Sequence, residues 1–241
     1  QSVLVSGSVS TTSDSVFNLV SVGLGGGNIA GNTGVGTNVL KSNTTGTGNT
    51  AIGNGVLCAN TSGRGNTAIG SSALCLNTTG CNIIAIGASS LYLNTIGGSN
   101  TAVGYHSLRF NTTGAGNTAI GRLALTANTT GNSNVALGNG ALQSNTTGLQ
   151  NISIGEGALN QNITGGTNTA VGHNALLSNT VSGNTAVGFV ALCVNTTGIR
   201  NTAVGRGALR LNTYGICNVA IGDSALCTNT TGQNNIAIGY A

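Results

Sequence analysis

The chain has 241 residues, 41 of them Gly, and contains no Pro, Met or Trp. Seven Lys and Arg against three Asp and Glu give a formal charge of +4, and only three Phe and four Tyr are present. An ordinary globular domain is about one-quarter charged, and a disordered chain is poor in branched apolar residues. This sequence is neither, and its basic residues are too scattered for the dense stripe that nucleic-acid binding needs.

Residues 1–22 stand apart. V-L-V-S-G-S-V-S and then V-F-N-L-V-S-V read as short strands, because β-branched residues alternate there without helix signals. We expect an N-terminal strand-like arm that caps the rest, adds a strand to it, or reaches a neighbouring subunit.

Residues 23–241 repeat. A Gly ends each N-T-A-I-G-like motif at 36, 53, 70, 87, 104, 121, 138, 155, 172, 188, 205, 222 and 239, every step being 17 residues except the 16 from Gly172 to Gly188. A short fixed period marks a stacked array. The fold class expected is therefore all-β: a single β-solenoid of about twelve 17-residue coils plus the arm.

Within each coil the marker Gly follows Ile, Val or Leu, and two residues before that stands a β-branched residue, as in Thr50-Ala51-Ile52. Period two with β-branching predicts a three-residue strand. The two bulky positions are expected to face inward and the intervening Ala row outward. Four residues after the marker Gly lies an unbroken Leu row, from Leu40 to Leu226. Stacking buries each Leu between its counterparts above and below.

Three residues after each Leu comes Asn: Asn43, Asn60, Asn77, Asn94, Asn111, Asn128, Asn145, Asn162, Asn179, Asn195, Asn212 and Asn229. We expect these to form a structural ladder, each bonding along the stack and satisfying turn backbone groups. A second Gly follows three residues on in all coils but one, where Ser182 stands instead. At the strand spacing of ~4.8 Å, twelve intervals make a rod about 58 Å long.

The recurring N-T-A-[I/V]-G resembles the N-S-V-A-I-G repeats in the heads of trimeric autotransporter adhesins. The full unit, as in G-N-T-A-I-G-S-S-A-L-C-L-N-T-T-G at 65–80, is similar to the repeat arrays of tail-fibre-like surface proteins. The resemblance covers about residues 27–241. It implies a β-roll whose chains pack side by side in threes, with an outer surface that binds host or matrix; the Ala row would face the neighbouring chain. The sequence departs from the adhesin heads in its longer period, which adds an A-L-x-x-N-T-T-G stretch.

Several residues carry candidate chemistry. N-x-[S/T] glycosylation sequons begin at Asn43, Asn60, Asn77, Asn111, Asn128, Asn145, Asn162, Asn195 and Asn229, and at Asn151. Yet Asn94, Asn179 and Asn212 keep the register where Ile96, Val181 and Tyr214 destroy the sequon, so the repeat itself demands the Asn. Cys58 and Cys75 share a register one coil apart, within disulfide reach. Cys193 and Cys227 share it two coils apart, too far to bond, and Cys81 and Cys217 precede the strand.

Arg206 with Asp223, and Glu156 with His173, are expected to pair on adjacent coils. A Thr row (Thr45, Thr79, Thr113, Thr130, Thr147, Thr164, Thr197, Thr231) raises an ice-binding reading, interrupted by Ile96, Val181 and Tyr214. Three acidic residues and two His do not assemble a nucleophile–base–acid set, so no enzyme, cofactor or metal site is expected.

The reading of the sequence is a structural protomer of an extracellular or surface fibre, assembled by self-association as a head-to-tail filament or a homotrimer. The I-A-I-G-Y-A end, partway through a coil, is taken as an open joint. The alternative is a trimeric adhesin or tail-fibre module whose outer positions, among them Tyr92, Tyr105, His106, Arg109, Phe110 and Phe189, bind a surface ligand. Neither nucleic acid nor a membrane span is expected as a partner, since no apolar run nears ~18 residues.

Overall fold

A computed structural model describes residues 15–17 and 20–240. Strands β1 (Ser15–Phe17) and β2 (Val20–Gly23) pair antiparallel, and β2 pairs antiparallel with β3 (Thr33–Val35). From β3 to β15 (Ile236–Ile238) every strand has three residues and pairs in parallel with the next, giving one sheet of 15 strands in sequence order. The register is i to i+17 throughout, except for the 16-residue step from Thr169 to Thr185. The expected solenoid is the observed one. Most of the arm lies outside the described residues; its described part adds two strands to the sheet edge at β3.

One expectation is reversed. The middle residue of each strand faces the interior: Ala51, Ala68, Ala85, Ala102, Ala119 and their successors to Ala220 are fully buried. The flanking bulky residues point outward and are half-buried or exposed. The reason is room. The Leu row and a second row of small residues, such as Ala73 and Ala124, come from the opposite wall and fill the cross-section. Only a Cβ or a hydroxymethyl fits beneath the strand. Where Ser153 replaces Ala, its hydroxyl donates across the interior to the Ala158 carbonyl at 2.8 Å. Where Gly34 replaces it, the larger Val39 fills the space opposite.

All twelve Leu of the Leu row have φ between 48° and 53°. That left-handed conformation costs an L-residue about 1–2 kcal/mol and is worst for β-branched side chains. Burying Leu returns roughly 1.5–3 kcal/mol. The balance explains why Leu, unbranched at Cβ, occupies a row from which Ile and Val are absent. The marker Gly has a different constraint: Gly121 sits at φ 132°, and a Cβ there would lie 2.5 Å from the Gly138 carbonyl oxygen one coil on.

Two Asn ladders line the turns. In the expected one, Asn60 Nδ2 donates to Asn43 Oδ1 at 2.9 Å and to the Gly63 carbonyl at 3.0 Å, and the pattern recurs from coil to coil. The second, which sequence reading missed, is the Asn that opens each N-T-A-I-G motif. Asn117 Oδ1 accepts the backbone N–H of Asn134 at 3.0 Å, and Asn117 Nδ2 donates to the Gly131 carbonyl at 2.9 Å. Ile83 interrupts this second ladder. Its N–H still bonds Asn66 Oδ1 at 3.0 Å, but it has no amide to pass the chain of bonds onward. The first ladder breaks at the shortened coil, where Asn162 Oδ1 is buried without a partner and Asn179 turns to the Val181 carbonyl.

Candidate functional site

The interior is accounted for by packing and hydrogen bonding, so what remains for function is the outside. Two faces differ sharply in chemistry.

The first is the strand face. Its outward rows are Thr, Val or Ile at the first strand position and Ile, Val or Leu at the third. Ile52, Ile84, Ile120, Leu137, Ile152 and Ile221 are all more than a third exposed. No charged residue occupies either row. The rows run along the stack at ~4.8 Å spacing over ~58 Å, about 10 Å wide.

The second face is formed by the turn after each marker Gly, at its first, second and fifth positions. Seven of the ten charged residues lie there: Lys41, Arg109, Arg122, Glu156, Arg206, Arg210 and Asp223. So do both His, Tyr92, Tyr105, Phe189 and four of the six Cys. The backbone alternates right- and left-handed through this turn, which points these side chains outward while the third and fourth positions point in. Most of the charged residues and both His therefore lie on one side of the rod, while the opposite turn, before each strand, also varies and carries Arg64, Arg200, Cys81 and Cys217.

Local contacts on this face follow from stacking. Tyr105 stacks on His106 with centroids 3.7 Å apart, and the Arg109 guanidinium lies 5.2 Å from the Phe110 ring. Burial, with the cations Arg109 and Arg122 nearby, pushes the His106 imidazole below its ordinary range. Arg206 donates to Asp223 Oδ2 at 3.0 and 3.3 Å from two of its nitrogens, as the shared register predicts. Hydrogen bonds from Arg206 and Ser224 hold the Asp223 carboxyl below the usual carboxylate range.

The pairing expected between Glu156 and His173 is replaced by other contacts. Glu156 accepts from Asn139 Nδ2 at 3.3 Å on the preceding coil, while His173 stacks with Phe189 at 5.4 Å. An aromatic surface one coil on wins the imidazole over an exposed carboxylate, whose attraction water screens. A hollow of about 270 Å³ lies nearby, lined by Phe189, Val190, Arg206, Gly207, Arg210, Ser224 and Cys227.

The sequon residues lie elsewhere. Asn43, Asn60, Asn77, Asn111, Asn128, Asn145, Asn162, Asn195 and Asn151 are buried, and Asn229 is half-buried. Each Nδ2, the atom that would carry a sugar, is committed to ladder or turn carbonyls, as for Asn151 with Gly165 at 2.9 Å. In the folded chain these amides are closed to glycosylation. The Thr row at Thr45, Thr79 and Thr113 is exposed at the far turns. Its inner neighbours differ: the Thr61 hydroxyl donates to the Thr78 carbonyl at 3.1 Å. All six cysteines are free thiols, half-buried.

Among the described residues no three His, Cys, Asp or Glu side chains come together as a metal site, and no helix is long and apolar enough to cross a membrane. No family model, curated protein or solved structure matches the chain.

Proposed function

We propose that the chain is a structural protomer of an extracellular fibre or appendage, built by lateral self-association through the strand face. The observation that carries this reading is the length of that face: an uncharged, β-branched stripe with side chains at one fixed spacing. A stripe of ~58 by ~10 Å offers roughly 600 Å² per partner as a flat footprint, near the ~800 Å² of a standard stable interface. A second copy carries the same spacing, so the ridges of one stripe meet the grooves of the other along the whole length. Placement outside the cell rests on the likeness of the N-T-A-I-G repeats to those of surface proteins.

A second reading is favoured by the other face. Cations, aromatics and imidazoles gathered on one side of a rigid rod suit an adhesin or tail-fibre module, in which the strand faces hold three chains together and the variable face meets a surface ligand. Negative-stain electron microscopy with light scattering at micromolar concentration separates the two. Filaments of uniform width support the fibre. Discrete rods of three chains move the reading to the module. Single rods at every concentration overturn self-association.

A further inference from the structure

We propose that Cys58 and Cys75 are a specific dithiol site that closes to an intramolecular disulfide between adjacent coils when a small-molecule disulfide is the oxidant. The two residues occupy the same position of consecutive turns, the fifth after marker Gly53 and Gly70. Their backbones are stacked in register: the Ser42 N–H donates to the Cys58 carbonyl at 3.0 Å, and the Ala59 N–H donates to the Cys75 carbonyl at 2.9 Å. Coils stacked in this way place equivalent Cα atoms ~4.8 Å apart, inside the ~4.4–6.8 Å that a disulfide spans. Both side chains point outward and are half-buried, so the pair is reachable by a small oxidant yet partly shielded. The thiols also sense each other. Burial first, and then the neighbouring Cys58, push the Cys75 thiol up.

The remaining cysteines lack this arrangement. Cys193 and Cys227 share the column but are two coils apart, ~9.6 Å at the same spacing. Cys81 and Cys217 lie at the opposite turn, before the strand. Same-column neighbours outside the pair are Lys41 and Tyr92, so Cys58 and Cys75 are each other's adjacent thiol.

The exchange balances without a further reactant. One thiolate attacks a sulfur of the oxidant, expelling one small thiolate and leaving a mixed disulfide. The second thiolate attacks the protein sulfur of that mixed disulfide and expels the other. Two electrons pass from the protein to the oxidant, and the two protons end on the released small thiols.

The test uses the full chain, reduced and then exposed to oxidised glutathione, with residual thiols alkylated before tryptic mapping. Trypsin cuts after Lys41, Arg64 and Arg109, which places Cys58 in peptide 42–64 and Cys75 in peptide 65–109. The expected result is one linked pair of these peptides, lighter than their sum by the two hydrogens lost. Fragmentation should place the bond at Cys75 rather than Cys81, with the other four cysteines alkylated. Cys75→Ser abolishes the link and Cys193→Ser leaves it. Recovery of Cys58 alkylated, held as a mixed disulfide with glutathione, or joined to Cys81 overturns the proposal.

Discussion

Replacing Asn128 by Ala tests the ladder as a source of stability. Asn128 Nδ2 donates to Asn111 Oδ1 at 2.7 Å and to the Gly131 carbonyl at 3.0 Å, and its Oδ1 accepts from Asn145 Nδ2 at 3.0 Å. The variant removes all three bonds. Gly131 keeps the donor Asn117 at 2.9 Å, and Asn145 keeps its bond to Gly148 at 3.0 Å. Asn111 Oδ1, fully buried, is stranded, as is one N–H of Asn145. Three bonds at about 1 kcal/mol each, plus the cost of a buried orphan acceptor, give a loss of about 3–5 kcal/mol. Urea unfolding followed by circular dichroism reads it, with exposed Thr130→Ala as the control expected within about 0.5 kcal/mol of the native chain. A loss under about 1 kcal/mol for Asn128→Ala would refute the ladder as a stabilising device.

Three further perturbations follow from the same geometry. Asn128→Asp puts a carboxylate oxygen against the Gly131 carbonyl and Asn111 Oδ1, both acceptors, so burial raises its pKa in the folded chain. Its stability relative to the native chain should therefore fall as pH rises from about 4, the unfolded value, and a flat difference across that range contradicts the assignment. A Gly inserted between Val181 and Ser182 restores the 17-residue spacing and returns a donor to Asn162 Oδ1; thermal unfolding should move upward, and no gain would show that the shortened coil is not a weak joint. Gly121→Ala drives a Cβ toward the Gly138 carbonyl and strains the backbone at φ 132°, so it should cost at least about 1–3 kcal/mol, where Ala124→Gly on the same turn serves as a comparison of similar size.

Much of the architecture could be read from spacing alone. The thirteen marker Gly, the Leu row and the first Asn row define strand, turn and stack without any structural information, because every coil must meet the same neighbours. The facing of the strand could not be read that way. Period two says that Ala51 and Thr50 point to opposite sides, but which side is interior depends on how far Leu57 and Val56 reach from the other wall. Bulk suggested Ile52 as core; volume assigned that place to Ala51. The second Asn ladder was visible as the opening residue of N-T-A-I-G. Its role is not legible there, because a polar residue at a strand edge reads as a turn until the distance to the next Asn N–H is known. Pairings on the variable face were legible where charge alone decides, as for Arg206 and Asp223. They were not where an aromatic competes, as for His173 beside Phe189.

The central claim is that the strand face joins copies of this chain, and solution molar mass tests it most directly. Ile120 and Leu137 are 38% and 41% exposed at the centre of the stripe, so Ile120→Lys with Leu137→Lys places two cations in the proposed contact without entering the core. Light scattering across micromolar concentrations should give a multiple of the single-chain mass for the native protein. The double variant should give the single-chain mass with an unchanged circular dichroism spectrum. A native chain that stays single, or a variant that associates as the native chain does, would contradict the account.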